Sequence, residues 1–145
     1  MKSFLILIFS IITLVILFTG CSNDVNESDV DIDLSSLSQT LVQAEYQRIV
    51  ANADANIGKT ILLSGTYQTF IVDDAGNYAH FIIVVQGDEC CQLGFEFKRE
   101  GDYSFPDDYP EQNAVIKIKG VLDTHERFGT TYLYIDADEF SLLND

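Results

Sequence analysis

The chain has 145 residues, with 23 Asp and Glu against eight Lys and Arg, a formal net charge of −15 at pH 7. Acidity on this scale excludes the nucleic-acid binders, which need basic groups to release counterions from phosphates. It also opposes adsorption to anionic lipid headgroups, and the length suits one domain better than two.

Met1 and Lys2 form a short positive start. An apolar run follows from Phe4 to Phe18, broken only by Ser10 and Thr13, and it leads into Thr19-Gly20-Cys21. The run is shorter than the roughly 20 residues a spanning helix needs, and its flanks match a secretory signal. Thr19, Gly20 and Cys21 resemble the bacterial lipobox, with Phe18 standing where that family usually carries Leu or another aliphatic residue. The resemblance implies a signal peptide over 1–20 and a diacylglyceryl group, with acyl chains of the palmitate kind, on the Cys21 thiol. The chain would then be a lipoprotein on the extracytoplasmic face of the cell membrane. The competing readings are an ordinary secreted protein with a coincidental cysteine, or an uncleaved anchor.

Composition changes abruptly after Cys21. Residues 22–36 hold Asp24, Glu27, Asp29, Asp31 and Asp33 among scattered Ser and Asn. Too little apolar surface is present to offset the entropy of ordering, so 21–36 reads as a flexible acidic tether and 37–145 as the folded domain. Loss of Lys2 with the leader leaves seven basic residues against 23 acidic ones.

Residues 37–54 are predicted helical. Ser36 or Ser38 can cap the start, and Val42, Tyr46, Ile49, Val50 and Ala53 fall on one face. From Thr60 onward the pattern is β. Strands are predicted at Ile61–Val72, Tyr78–Gln86, Leu93–Lys98, Ala114–Thr124 and Thr130–Ala137. Asp73-Asp74-Ala75-Gly76-Asn77 reads as a hairpin turn, and Glu126-Arg127-Phe128-Gly129 as another. The apolar run Phe81-Ile82-Ile83-Val84-Val85 suggests burial on both faces. On the fourth strand Ile116, Ile118 and Leu122 oppose Lys117 and Lys119.

Ser64-Gly65 and Lys119-Gly120 place glycine inside strands, the mark of a bulge or bend. Bent strands can close into a small barrel. Five strands with a kink in the long first one resemble the OB-fold, so the expected class is mainly β: a five-stranded OB-like Greek-key barrel preceded by one α-helix. The stretch 100–113, with Pro106, Pro110 and its acidic residues, has a loop composition where that fold often has a helix.

The chain is also similar to a set of small bacterial envelope proteins whose activities are not established. The matching residues are Gly58-Lys59-Thr60, Cys90-Cys91, Gly94-Phe95-Glu96-Phe97 and Tyr109-Pro110. The resemblance implies an OB-like barrel and no particular activity. Some members carry a further cysteine in the last strand, where this chain has Tyr132 and Tyr134.

The adjacent Cys90 and Cys91 are the most unusual local feature. They could form a vicinal disulfide switch or supply thiolates to a soft metal, with His80 or His125 as further ligands. Against that stands a pair of small buried thiols at a strand end, since a structural zinc normally takes four ligands and these spacings match no motif. The acidic groups Asp102, Asp107, Asp108 and Glu111, and Asp136, Asp138 and Glu139, lack the regular calcium-loop pattern and read as a solvated surface. Aromatics on the strands either fill the core or offer a face for a sugar or peptide.

No nucleophile elbow, zinc-protease motif or phosphate-binding glycine loop is present, which argues against an enzyme, and no cofactor is expected. The function expected is a membrane-anchored, non-catalytic binding or interaction module for an envelope protein, peptide or sugar. The alternative is a thiol-based redox or metal-handling protein using Cys90-Cys91.

Overall fold

The computed structural model describes residues 25–85 and 92–143. The expected leader over 1–20, Cys21 and the Cys90-Cys91 pair therefore lie outside the described residues. The elements are β1 (Ile32–Asp33), α1 (Gln39–Ala51), α2 (Ala53–Asn56), β2 (Thr60–Ile71), β3 (Tyr78–Val85), β4 (Leu93–Arg99), β5 (Val115–Arg127) and β6 (Thr130–Leu142).

The class is mainly β, as the alternation of apolar residues demands. One six-stranded sheet runs in the order β1-β2-β3-β4-β6-β5, and β5 pairs again with β2, so five strands pair in a cycle. Within the cycle every pairing is antiparallel except β4 with β6, and outside it the short β1 runs parallel to β2. The long β2 serves two partners in turn. Its first half, Thr60–Thr66, pairs with β5, and Thr66–Ile71 pairs with β3.

The changeover falls at Gly65, where an added Cβ would meet the Ile83 carbonyl oxygen at 2.4 Å. Gly120 sits at the register shift between β5 and β6, and a Cβ there would come within 2.1 Å of the Asp136 carbonyl oxygen. Both glycines are thus required by backbone-to-backbone approach, the condition under which a strand bends sharply.

The core lies between the inward residues of the strands. Ile61, Leu63 and Tyr67 of β2 meet Ile82 of β3, Phe95 and Phe97 of β4, Ile116, Ile118 and Leu122 of β5, and Ile135 of β6. The Phe81–Val85 run is covered on both faces, with Ile82, Ile83 and Val85 buried and Phe81 and Val84 half-buried. Helix α1 buries Val42 and Ile49 and sets Tyr46 against Phe95, with ring centroids 4.9 Å apart.

Two members of the expected helical stripe depart from it. Val50 is exposed and Ala53 starts a separate short helix, because the chain breaks at Asn52. Ser38 is the N-cap residue but makes no side-chain capping bond. The break is held by Asn56, 1% exposed, whose Nδ2 donates to the carbonyls of Ile49 and Asn52 and whose Oδ1 accepts from Lys59.

The expected tether is corrected over its described part. Val25, Ile32 and Leu34 are buried, and Ile32-Asp33 forms β1, parallel to Ile61-Leu62. Asp31 and Thr60 exchange bonds, and Leu34 N–H donates to the Leu62 carbonyl. Asn26 N–H donates to Glu139, and Lys117 pairs with Glu27. Three apolar side chains spaced along an acidic stretch suffice once an open strand edge receives them and Lys117 pairs with Glu27. Composition averaged over the stretch hides that.

Residues 100–113 form turns, as expected, but not a free loop. Gln112 exchanges two hydrogen bonds with the backbone of Thr69, and Asn113 N–H donates to the Tyr67 carbonyl. Arg99 donates to the Asp108 carbonyl. The segment thereby closes over the start of β3, while α1 packs toward its other end.

Candidate functional site

The two histidines singled out in the sequence land in different surroundings. Neighbouring residues on a strand point to opposite faces. His80 lies opposite Phe97, on the core side, whereas His125 bonds Glu96, on the outer side. The structure does not bring them together.

His80 sits in an aromatic enclosure. Its ring stacks on Tyr109 at 3.9 Å and 14°, and Phe105 and Phe97 lie 5.4 and 6.3 Å away. Its Nδ1 is 2.8 Å from the Tyr67 hydroxyl. Burial lowers the His80 pKa from its ordinary value, with the Glu96 charge opposing weakly. Burial likewise pushes the Tyr67 hydroxyl up to about 12. A neutral imidazole hydrogen-bonded to a protonated phenol is a packing unit, and it fastens residues 105–109 to the sheet. Loop composition alone does not reveal this, although Tyr109 as an aromatic in an acidic loop is a visible signal.

The outer face of β4, β5 and β6 carries a different arrangement. Glu96 is buried to 6% exposure although it points outward, because Arg127 and His125 cover it. Arg127 donates to Oε1 at 2.5 Å and His125 Nε2 donates to Oε2 at 3.2 Å. Parallel pairing of β4 with β6 puts Tyr134 beside Glu96, and antiparallel pairing of β5 with β6 puts Tyr132 beside His125. The His125 ring then meets Tyr134 edge-on at 5.4 Å and Tyr132 at 5.9 Å. Lys98 lies over Tyr134 at 4.4 Å, and Arg127 over Tyr132 at 5.5 Å. Burial, then the charges of Asp123 and Asp136, raise the Tyr134 pKa. The result is an aromatic surface bordered by Lys98 and Arg127 and also by Asp123 and Asp136. Its hydrogen-bonding groups are fixed by the buried carboxylate.

His125, Tyr132 and Tyr134 stand out in the sequence as candidate residues, whereas Glu96 and Arg127 do not. Their convergence is a property of strand order, which no local pattern encodes. At the tip of the same hairpin, Phe128 and Gly129 both have positive φ, 52° and 74°, and Phe128 is 78% exposed.

Among the described residues no group of three or more His, Cys, Asp and Glu side chains is arranged to hold a metal. Among them, too, no helix is long and apolar enough to cross a membrane. Comparison of the chain with protein-family models, with curated proteins and with solved structures gives no match.

Proposed function

We propose that this chain is a lipoprotein held on the extracytoplasmic face of the cell membrane through acylated Cys21, and that its domain is an OB-like barrel acting as a non-catalytic binding module. Support for the barrel comes from the cyclic strand pairing, the parallel β4–β6 pair within that cycle and the close backbone approaches at Gly65 and Gly120. Support for the anchor comes from the Thr19-Gly20-Cys21 motif behind a short apolar leader.

The observation that carries the binding reading is the outward Glu96, locked between Arg127 and His125 and flanked by Tyr132 and Tyr134. Flat rings beside oriented donors suit a sugar ring or a peptide segment. Binding energy at such surfaces concentrates in aromatic and Arg side chains.

Two measurements test this reading. Metabolic labelling with an alkyne fatty acid should mark the wild-type chain and leave Cys21→Ala unmarked; an unmarked wild type removes the anchor. Screening the soluble domain (residues 25–145) against glycan and peptide arrays should return ligands whose affinity falls at least tenfold in Tyr132→Ala/Tyr134→Ala, about 1.4 kcal/mol. Ligands that bind both proteins equally would show the surface to be inert.

A further inference from the structure

The path of the N-terminal segment assigns this domain an orientation on the membrane. We infer that the face around Val25, Arg99, Tyr103 and Phe140 rests on the lipid headgroups and that the β5–β6 hairpin tip points away from them. The inference rests on the acylated Cys21 proposed above, and adds to it which face the bilayer meets.

Val25 is buried, and with Arg99, Tyr103, Asp138, Glu139 and Phe140 it lines an open cleft of about 290 Å³. Asn26, Glu27, Asp31 and Leu34 are each bonded to the sheet beyond it. Only Ser22, Asn23 and Asp24 stand between Cys21 and Val25. Four residue steps span at most about 14 Å even when fully extended. An acyl group on Cys21 therefore brings the bilayer surface to this cleft.

The opposite end of the hairpin cannot share that position. From Phe140 back to Gly129 the strand covers eleven residues, roughly 30 Å at the rise of a twisted strand. Phe128, Tyr132, His125 and Arg127 belong to that far half. Charge does not create the contact, since Glu100, Asp138 and Glu139 border the cleft and disfavour anionic headgroups. Chain length imposes it. The aromatic surface carrying Glu96 is left open toward the envelope.

The chain contains no Trp, so single Trp substitutions report position. The full chain, acylated in cells and verified by mass, is reconstituted into phosphatidylcholine vesicles containing a nitroxide-headgroup lipid. Tyr103→Trp, which keeps a ring over Arg99, is expected to be quenched at least threefold more strongly than Phe128→Trp. A Gly-Ser insert of about twenty residues after Ser22 should bring the two signals together. Acylated protein with equal quenching at both positions, or stronger quenching at 128, overturns the orientation and leaves the anchor standing. Quenching at 103 that survives the insert shows that chain length is not the cause and overturns it as well. A chain recovered without the acyl mass overturns anchor and orientation together.

Discussion

Phe128 shows how a single residue can oppose the fold that contains it. A two-residue hairpin loop with both φ values positive is the geometry that Asn-Gly adopts most readily, and a Phe in the first place is held against steric cost. Its side chain gains nothing in return, being 78% exposed. Phe128→Asn is therefore expected to stabilise the domain by about 1 kcal/mol, seen as a raised urea midpoint with unchanged slope. A neutral or lower midpoint would mean that the ring has a contact in solution. Gly120 is the reverse case, a residue whose absence of a side chain is required by the backbone of β6. Glu96 lies between the two. Its burial is tolerable only because two donors cover the carboxylate, as an unpaired buried charge would cost several kcal/mol.

Among the elements, the two-residue β1 contributes more than its length suggests. It supplies Ile32 and leads into Leu34, both within the core cluster, and it covers an edge of β2 that β3 does not reach. Leu34→Ala is expected to cost about 2–4 kcal/mol in urea unfolding, the range for a buried large-to-small change. A free tether would show no effect, so the measurement separates a docked segment from a spacer. The helix was legible in outline because Val42, Tyr46 and Ile49 recur on one face. Its end was not, because the break at Asn52 depends on the buried amide of Asn56. The positions of β2 to β6 are legible from alternation and turn residues, whereas β1 is not. β5 and β6 nevertheless extend beyond the predicted limits, since His125–Arg127 pair with Thr130–Tyr132 at the hairpin tip and Glu139–Leu142 pair with Ile116–Lys119 at the other end.

At the scale of the whole molecule, stability should depend on pH through the enclosure joining β2, β3 and residues 105–109. The folded state lowers the His80 pKa, so the unfolded chain takes up a proton first as pH falls. Stability linked to His80 is thus present above its unfolded value near 6.5 and is lost as pH drops through the folded value. The difference in urea midpoint between wild type and His80→Gln should narrow progressively below pH 6.5. A constant difference from pH 8 to 5 would rule out the linkage. Tyr67 acts at the other end of the scale. Its folded pKa of about 12 lies above the unfolded value near 10, so stability holds below pH 10 and declines between 10 and 12. Tyr67→Phe should lose that alkaline decline.

Composition and period alone determined that this chain would be β-rich, with a preceding helix, glycine-marked bends and an acidic exterior. These follow from local rules: alternation sets which face is buried, and turn residues set where strands end. The tertiary structure alone decided that β4 and β6 run side by side and in parallel, which is what gathers Glu96, His125, Arg127, Tyr132 and Tyr134 on one surface. It also decided that an acidic stretch without periodicity would dock. Both outcomes depend on partners distant along the chain, and a residue's neighbours in sequence carry no record of them.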